Sequence, residues 1–151
     1  MFKKLITFLT GALPILESRA AIPLGLGFGF SPLKSYFLGI AGTMILIIPL
    51  LSFWEFYANF WMKRSSFVNW YLTGIYKRTR DKYSEKFEVL GFFALLLFTA
   101  IPLPGTGVYT ASVIAYVFKY PFWKAFFAIS LGLLISGVLI IGISLGIISI
   151  F

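Results

Sequence analysis

From Val89 to Phe118 the chain carries no charged side chain, yet the middle of this run reads AIPLPGTGVYT, residues 100 to 110, with two prolines and two glycines. A membrane-spanning helix should be most regular at that depth. As one straight helix the run would be about 45 Å long at 1.5 Å per residue, overshooting ~30 Å of hydrocarbon and stranding Pro102, Pro104, Gly105 and Gly107 at its middle. Folded back at Pro102 to Gly107, it becomes two half-helices of about 18 Å each. That is a re-entrant hairpin, which leaves the bilayer by the face it entered. The alternative is four kinked transmembrane helices in parallel repeats.

Composition places the whole chain in the same solvent. Hydrophobic residues make up 60% of 151 and charged residues only 12%, with a mean hydropathy of +0.94, far outside the range of a soluble domain. Uncharged runs also extend from Ser35 to Trp54 and from Ala125 to Phe151, each long enough to cross a bilayer. The expectation is an all-α integral membrane protein of one domain, residues 1–151. Its net charge of +8 could point to nucleic acid, but seven of the thirteen basic residues lie between Lys63 and Lys86, beside apolar spans rather than over a solvated face. No nucleic-acid partner is expected. The absence of Cys and His removes thiol chemistry, imidazole catalysis and ordinary zinc or copper sites, so no enzymatic activity, cofactor or metal is expected either. Lys3, Lys4, the apolar run Leu5 to Leu16 and Ser18-Arg19-Ala20 resemble a signal peptide, but Pro14 and Glu17 inside the segment fit a built-in element better.

Sliding the chain against itself by 90 positions aligns Leu13-Pro14 with Leu103-Pro104, Ala21 with Ala111, Lys34 with Lys124, Phe37 with Phe127 and Gly42 with Gly132. Each half contains an apolar segment broken by Pro and Gly, a basic residue, then a long apolar helix. The first broken segment, Leu5 to Phe30, is expected to break around Pro14 to Pro23. One hairpin and one crossing per repeat turn the second repeat upside down, giving inverted repeats at 5–62 and 87–151. Interrupted segments in corresponding places point to the binding site of a transporter. Irregular backbone at this depth must be enclosed by protein or line a cavity, so the hairpin tips should meet.

The linker 63–86 joins the repeats. Its basic residues outnumber Asp81, Glu85 and Glu88, which places the stretch 63–88 in the cytoplasm. Phe67, Trp70, Tyr71, Gly74 and Ile75 recur at helical spacing after Ser65-Ser66, as in an amphipathic helix on the membrane surface. Trp54, Tyr57 and Trp61 read as an interfacial aromatic belt. Ser35, Gly39 and Thr43, and Ala128, Gly132 and Ser136, form small-residue stripes suited to helix packing, while Gly142 and Gly146 are candidates for a homodimer seam.

Glu17 and Arg19 lie at the first break, with twelve uncharged residues before them and fourteen after. Ionisable groups buried in a membrane are expensive and are functional candidates by default. Glu17 is the candidate proton carrier. At the second break, Pro104, Gly105 and Gly107 let backbone amides approach a ligand, a half-helix starting near Gly107 presents its positive end, and Thr106 and Tyr109 add hydroxyls. With Arg19 these residues make a candidate substrate site for an anion. The structural alternative is an internal ion pair of the two, or Arg19 bonding hairpin carbonyls while Glu17 caps a half-helix amide.

The stretches LPILESRAAIPLGLGFGFSPLKSYFLGIAG and LFTAIPLPGTGVYTASVIAYVFKYPFWKAF resemble the two signature regions of the small multidrug export protein family. The resemblance covers nearly the whole chain. It marks Pro14, Glu17, Arg19, Ile22, Pro23 and Gly25 in one motif and Pro102, Pro104, Gly105, Thr106 and Gly107 in the other; Ala20 stands where the family usually has Gly. The family is in turn distantly similar to DedA or VTT-domain membrane proteins, which implies a prokaryotic cytoplasmic membrane and an anionic lipid or lipid-linked phosphate as cargo. Three functions follow as expectations: proton-linked translocation of an anionic amphiphile, proton-coupled export of cationic drugs through Glu17, and a non-transporting scaffold. Membrane lipids and a small-molecule substrate are the expected partners.

Overall fold

The computed structural model describes residues 1–13, 16–62, 89–103 and 106–150. Within these, the regular structure is helical: α1 (Phe2–Gly11), α2 (Glu17–Gly27), α3 (Pro32–Met62), α4 (Val89–Ala100), α5 (Val108–Val117) and α6 (Phe122–Ile150). The amphipathic linker helix expected after Ser65-Ser66, and its cytoplasmic charge cluster, lie outside the described residues. Among the described residues, two helices are long and apolar enough to cross a membrane, over Pro32–Trp54 and Phe122–Ile147, which is compatible with a membrane location. The other four are roughly 15 to 18 Å long and too short to cross.

These short helices come in pairs. Lys3 Nζ lies 5.7 Å from the Phe28 ring centre, and a Cβ on Gly25 would stand 3.2 Å from Thr7, so α2 runs back along α1. The chain has reversed direction between the end of α1 at Gly11 and the start of α2 at Glu17. In the second half, Gly91 at the start of α4 faces the Tyr120 ring just beyond α5, so the chain has reversed between the end of α4 at Ala100 and the start of α5 at Val108. Val89 to Phe118 is therefore not one helix, and Pro102 lies in its break. Pro23 does not break the first segment: it sits inside α2, exposed, and Pro49 sits inside α3. Proline's fixed φ already suits a helix, and its cost is one missing backbone donor, which a helix packed on its neighbours absorbs.

The offset of 90 recurs in the backbone. Glu17 and Gly107 both have positive φ (48° and 147°), as do Gly29 and Lys119 (80° and 48°). Helices α2 and α5 end alike, with Phe30 N–H donating to Gly25 O (3.1 Å) and Tyr120 N–H to Ala115 O (2.8 Å), each around a left-handed residue. That is the Schellman closure, which leaves the chain free to turn into the long helix that follows. Gly42 on α3 abuts Phe8 O and Ala12 N of the first hairpin; Gly132 on α6 abuts Leu96 O and Ala100 N of the second. In both halves one glycine lets a short helix lie against a long one.

The interior is built from small residues. Ala21, Ala111, Ala115, Ala125 and Ala128 are buried, together with Ser35, Thr43, Thr99, Ser112 and Ser136, around Ile22, Ile47, Val108, Ile129 and Leu133. Large side chains such as Phe37, Ile45, Phe127 and Val138 point outward and are more than half exposed. Apolar surface on that scale is stable only against lipid or another apolar partner. The small-residue stripes pack as expected: Gly39 faces Ile22, and Thr43 Oγ1 lies 2.9 Å from Gly11 O. A Cβ added at Gly142 or Gly146 would meet nothing within 4 Å. Across the halves, Tyr36 OH donates to Leu134 O at 3.1 Å.

Candidate functional site

The two breaks meet, and their contact is made by side chains separated by more than eighty positions in sequence. Glu17 is the first residue of α2, with φ of 48° and only 6% exposure. A left-handed conformation is costly for a residue with a Cβ, so tertiary contacts must hold it there. They come from α5. The backbone N–H of Tyr109 donates to Glu17 Oε1 at 3.1 Å, and that of Val108 to Oε2 at 3.4 Å. These are first-turn amides of α5 without a partner in their own helix, so Glu17 caps α5 from the opposite half of the chain.

Arg19, one turn position further on, makes the reciprocal contact. Its guanidinium donates through Nη1 to Leu103 O and through Nη2 to Thr106 Oγ1 at 2.8 Å. Thr106 also holds its own turn: its hydroxyl lies 2.7 Å from Ile101 O and 2.9 Å from Leu103 O, and accepts from Leu103 N–H at 3.3 Å. The backbone of the second break, which no regular helix satisfies, is thereby bonded by one threonine and one arginine. Both charged groups of the first break are thus engaged with the second, Glu17 on its donors and Arg19 on its acceptors. The arrangement matches the second form of the structural alternative drawn from the sequence.

Gly107 caps α5 at φ of 147°, and a Cβ there would run into the Glu17 carboxylate. Its glycine is needed to admit Glu17, and the amides beyond it are not free for a ligand while that carboxylate is seated. Tyr109 is partly exposed, its ring edge-on to Trp54 with centres 6.0 Å apart. Pro14, Pro104 and Gly105 lie outside the described residues.

Trp54 is a participant that sequence reasoning placed only in the interfacial belt. Its indole N–H donates to Ser112 Oγ at 3.2 Å, and its ring also stacks on Tyr116 with centres 6.5 Å apart. The signal for it was weak, because a tryptophan beside basic residues at a helix end reads first as an interface anchor.

Beside Arg19 opens a cavity of about 520 Å³, bounded by α2, the second break and the C-terminal half of α6. Pro23, Leu26, Pro102, Ile143 and Ile147 line it, with Ser144 as a further polar group. Among the described residues, Arg19 is its one charged lining residue. The α6 residues of this wall carry no motif and were not anticipated. A smaller cavity of about 210 Å³ between α4 and α5 is lined wholly by apolar groups.

A family model described as "Putative small multi-drug export protein" matches residues 17–139. No curated protein and no solved structure matches the chain.

Proposed function

The chain belongs to the small multi-drug export protein family, and from that premise we propose that it is a membrane transporter that moves an anionic amphiphile, such as an isoprenyl phosphate or phospholipid, in a proton-linked cycle. The observation that carries this reading is the cavity in which Arg19 is the single charge among the described residues of a mostly apolar wall. An acyl or isoprenyl chain suits Leu26, Ile143 and Ile147, and a phosphate suits a guanidinium, whose planar fork keeps donors beyond the two committed to Leu103 and Thr106. A lipophilic cation would meet like charge there.

Inverted repeats with re-entrant hairpins are the topology that fits this function. Two breaks bonded to one another need shelter from lipid, and hairpins entering from opposite faces would put Glu17, Arg19 and Thr106 near the midplane. The positive linker would then be cytoplasmic. A DedA-like lipid cargo is part of the same proposal. The second reading, export of cationic drugs, is favoured by the aromatic wall of Trp54, Tyr109 and Tyr116 beside Glu17. Against it stands the carboxylate's engagement with two backbone amides.

The test is binding of an isoprenyl phosphate, its uncharged alcohol and a lipophilic cation to the purified protein in nanodiscs. The phosphate is expected to bind best. Arg19→Lys should weaken it by about tenfold, the loss of one charged hydrogen bond, and leave the alcohol unchanged. Because Arg19 also holds the second break, Ile143→Trp serves as a variant remote from that contact and should exclude phosphate and alcohol alike by filling the cavity. Preference for the cation, lost in Glu17→Gln, would establish the drug-export reading instead, and no turnover of any ligand in vesicles would favour a scaffold.

A further inference from the structure

We propose that the Glu17 carboxylate is a proton-operated latch between α2 and α5: charged, it holds the first-turn amides of α5 against α2; protonated, it releases them and lets the N-terminal end of α5 swing away. This deepens the transport reading and rests on it for its purpose, since an alternating site needs an element with two states that a proton can bias.

The contact has the parts such a latch needs. Glu17 is buried, and its two oxygens are divided between two amides of one helix end, so proton uptake removes the charge that attracts the positive end of α5 and turns one acceptor oxygen into a donor facing donors. The proton adds to an oxygen and nothing leaves. Glu17 also sits at positive φ, a conformation that the trans contact must sustain, so its release relaxes the backbone of α2's first turn as well.

Other ionisable groups around it are few. Among the described residues, Arg19 on the same helix is the neighbouring charge, and α5 brings Tyr109 and, behind Trp54, Tyr116. From α3 the nearest participant in the cluster is Trp54, which does not titrate. The sequence of α4 has no ionisable side chain, that of α6 has none after Lys124, and Lys3 of α1 lies at the far end of its hairpin beside Phe28. Glu17 is the one carboxylate in either broken segment. Arg19 shares the fate of the latch: it is bonded to Leu103 and Thr106 only while the breaks are closed, and opening turns its whole fork to the cavity. Proton uptake would thus raise the affinity for an anion.

The chain has no cysteine, so spin labels can be placed at Leu16→Cys and Leu103→Cys, both exposed and one on each break. Distances measured in nanodiscs should show a single short population at high pH and a second, longer one as the pH falls. Glu17→Gln, whose neutral carboxamide is a weaker acceptor, should show the longer population at every pH. If that variant does not fold, hydrogen exchange of the Val108 and Tyr109 amides in the unlabelled wild type gives the same answer: after correction for intrinsic rates, protection should fall by about tenfold or more at low pH. Distances and protection that do not change with pH would overturn the latch. Isoprenyl phosphate binding measured on the same samples separates the two ideas. Binding with pH-invariant distances removes the latch and keeps the transport reading, whereas pH-responsive distances without binding keep the latch and remove the anionic cargo.

Discussion

At the scale of single residues, Gly107 shows how one position can be dictated by a partner ninety positions away in sequence. Its φ of 147° disfavours any L side chain, and a Cβ would occupy the space of the Glu17 carboxylate. Gly107→Ala should therefore destabilise the protein by about 2 kcal/mol or more, of which the left-handed backbone accounts for roughly 1 to 2. Part of the loss should be recovered in the double variant Gly107→Ala with Glu17→Ala, because the steric conflict disappears while the backbone cost stays. Thermal unfolding of the single and double variants in detergent measures this coupling, and strict additivity would mean that the two residues do not meet. Thr106→Val keeps the shape but removes the acceptor for Arg19 and for Leu103 N–H. A loss of about 1 to 2 kcal/mol is expected, the scale of one hydrogen bond to a charged donor and one weaker backbone bond.

At the scale of elements, the long helices α3 and α6 act as matching supports, with Gly42 and Gly132 at equivalent contacts with their own hairpins. A Cβ at Gly42 or Gly132 would press on a backbone carbonyl, a group that cannot turn away as a side chain can. Gly42→Ala and Gly132→Ala should each lower the unfolding temperature clearly, whereas Gly142→Ala, where the added Cβ would meet nothing within 4 Å, should leave the monomer unchanged. If α6 forms a homodimer seam there, Gly142→Leu should shift the mass measured in detergent toward the monomer. Trp54 ties α3 to α5 across the halves, and Trp54→Phe should cost about 1 kcal/mol by removing the indole bond to Ser112 while keeping most of the ring contacts.

At the scale of the whole molecule, the consequence to test is the orientation. Odd crossings in each repeat would put the linker inside and both ends of this chain outside, whereas four full spans would put the ends inside with the linker. Cysteines introduced at Phe2, Ser66 and Phe151 distinguish these arrangements in intact cells. Labelling of Phe2→Cys and Phe151→Cys by an impermeant reagent is expected, with Ser66→Cys labelled only after permeabilisation; if all three need permeabilisation, the hairpins span the bilayer.

Long uncharged runs and Pro-Gly interruptions set the helices and their breaks, because hydrocarbon length and backbone hydrogen bonding act on the local chain. That is why α3, α6 and the break at Pro102 were legible in the sequence, and why the offset of 90 could be seen from a handful of pairs. Pro23 was misread because a proline's effect depends on whether neighbouring helices support the turn around it. Glu17 and Arg19 were recognisable as costly charges in an apolar segment, but their partners were not. A carboxylate can be satisfied by a cation, a proton or a pair of amides, and only the tertiary structure brings Val108, Tyr109, Leu103 and Thr106 within bonding distance of them. The cavity wall on α6 belongs to the same class, since Ile143, Ser144 and Ile147 are ordinary membrane-helix residues until packing sets them opposite Arg19.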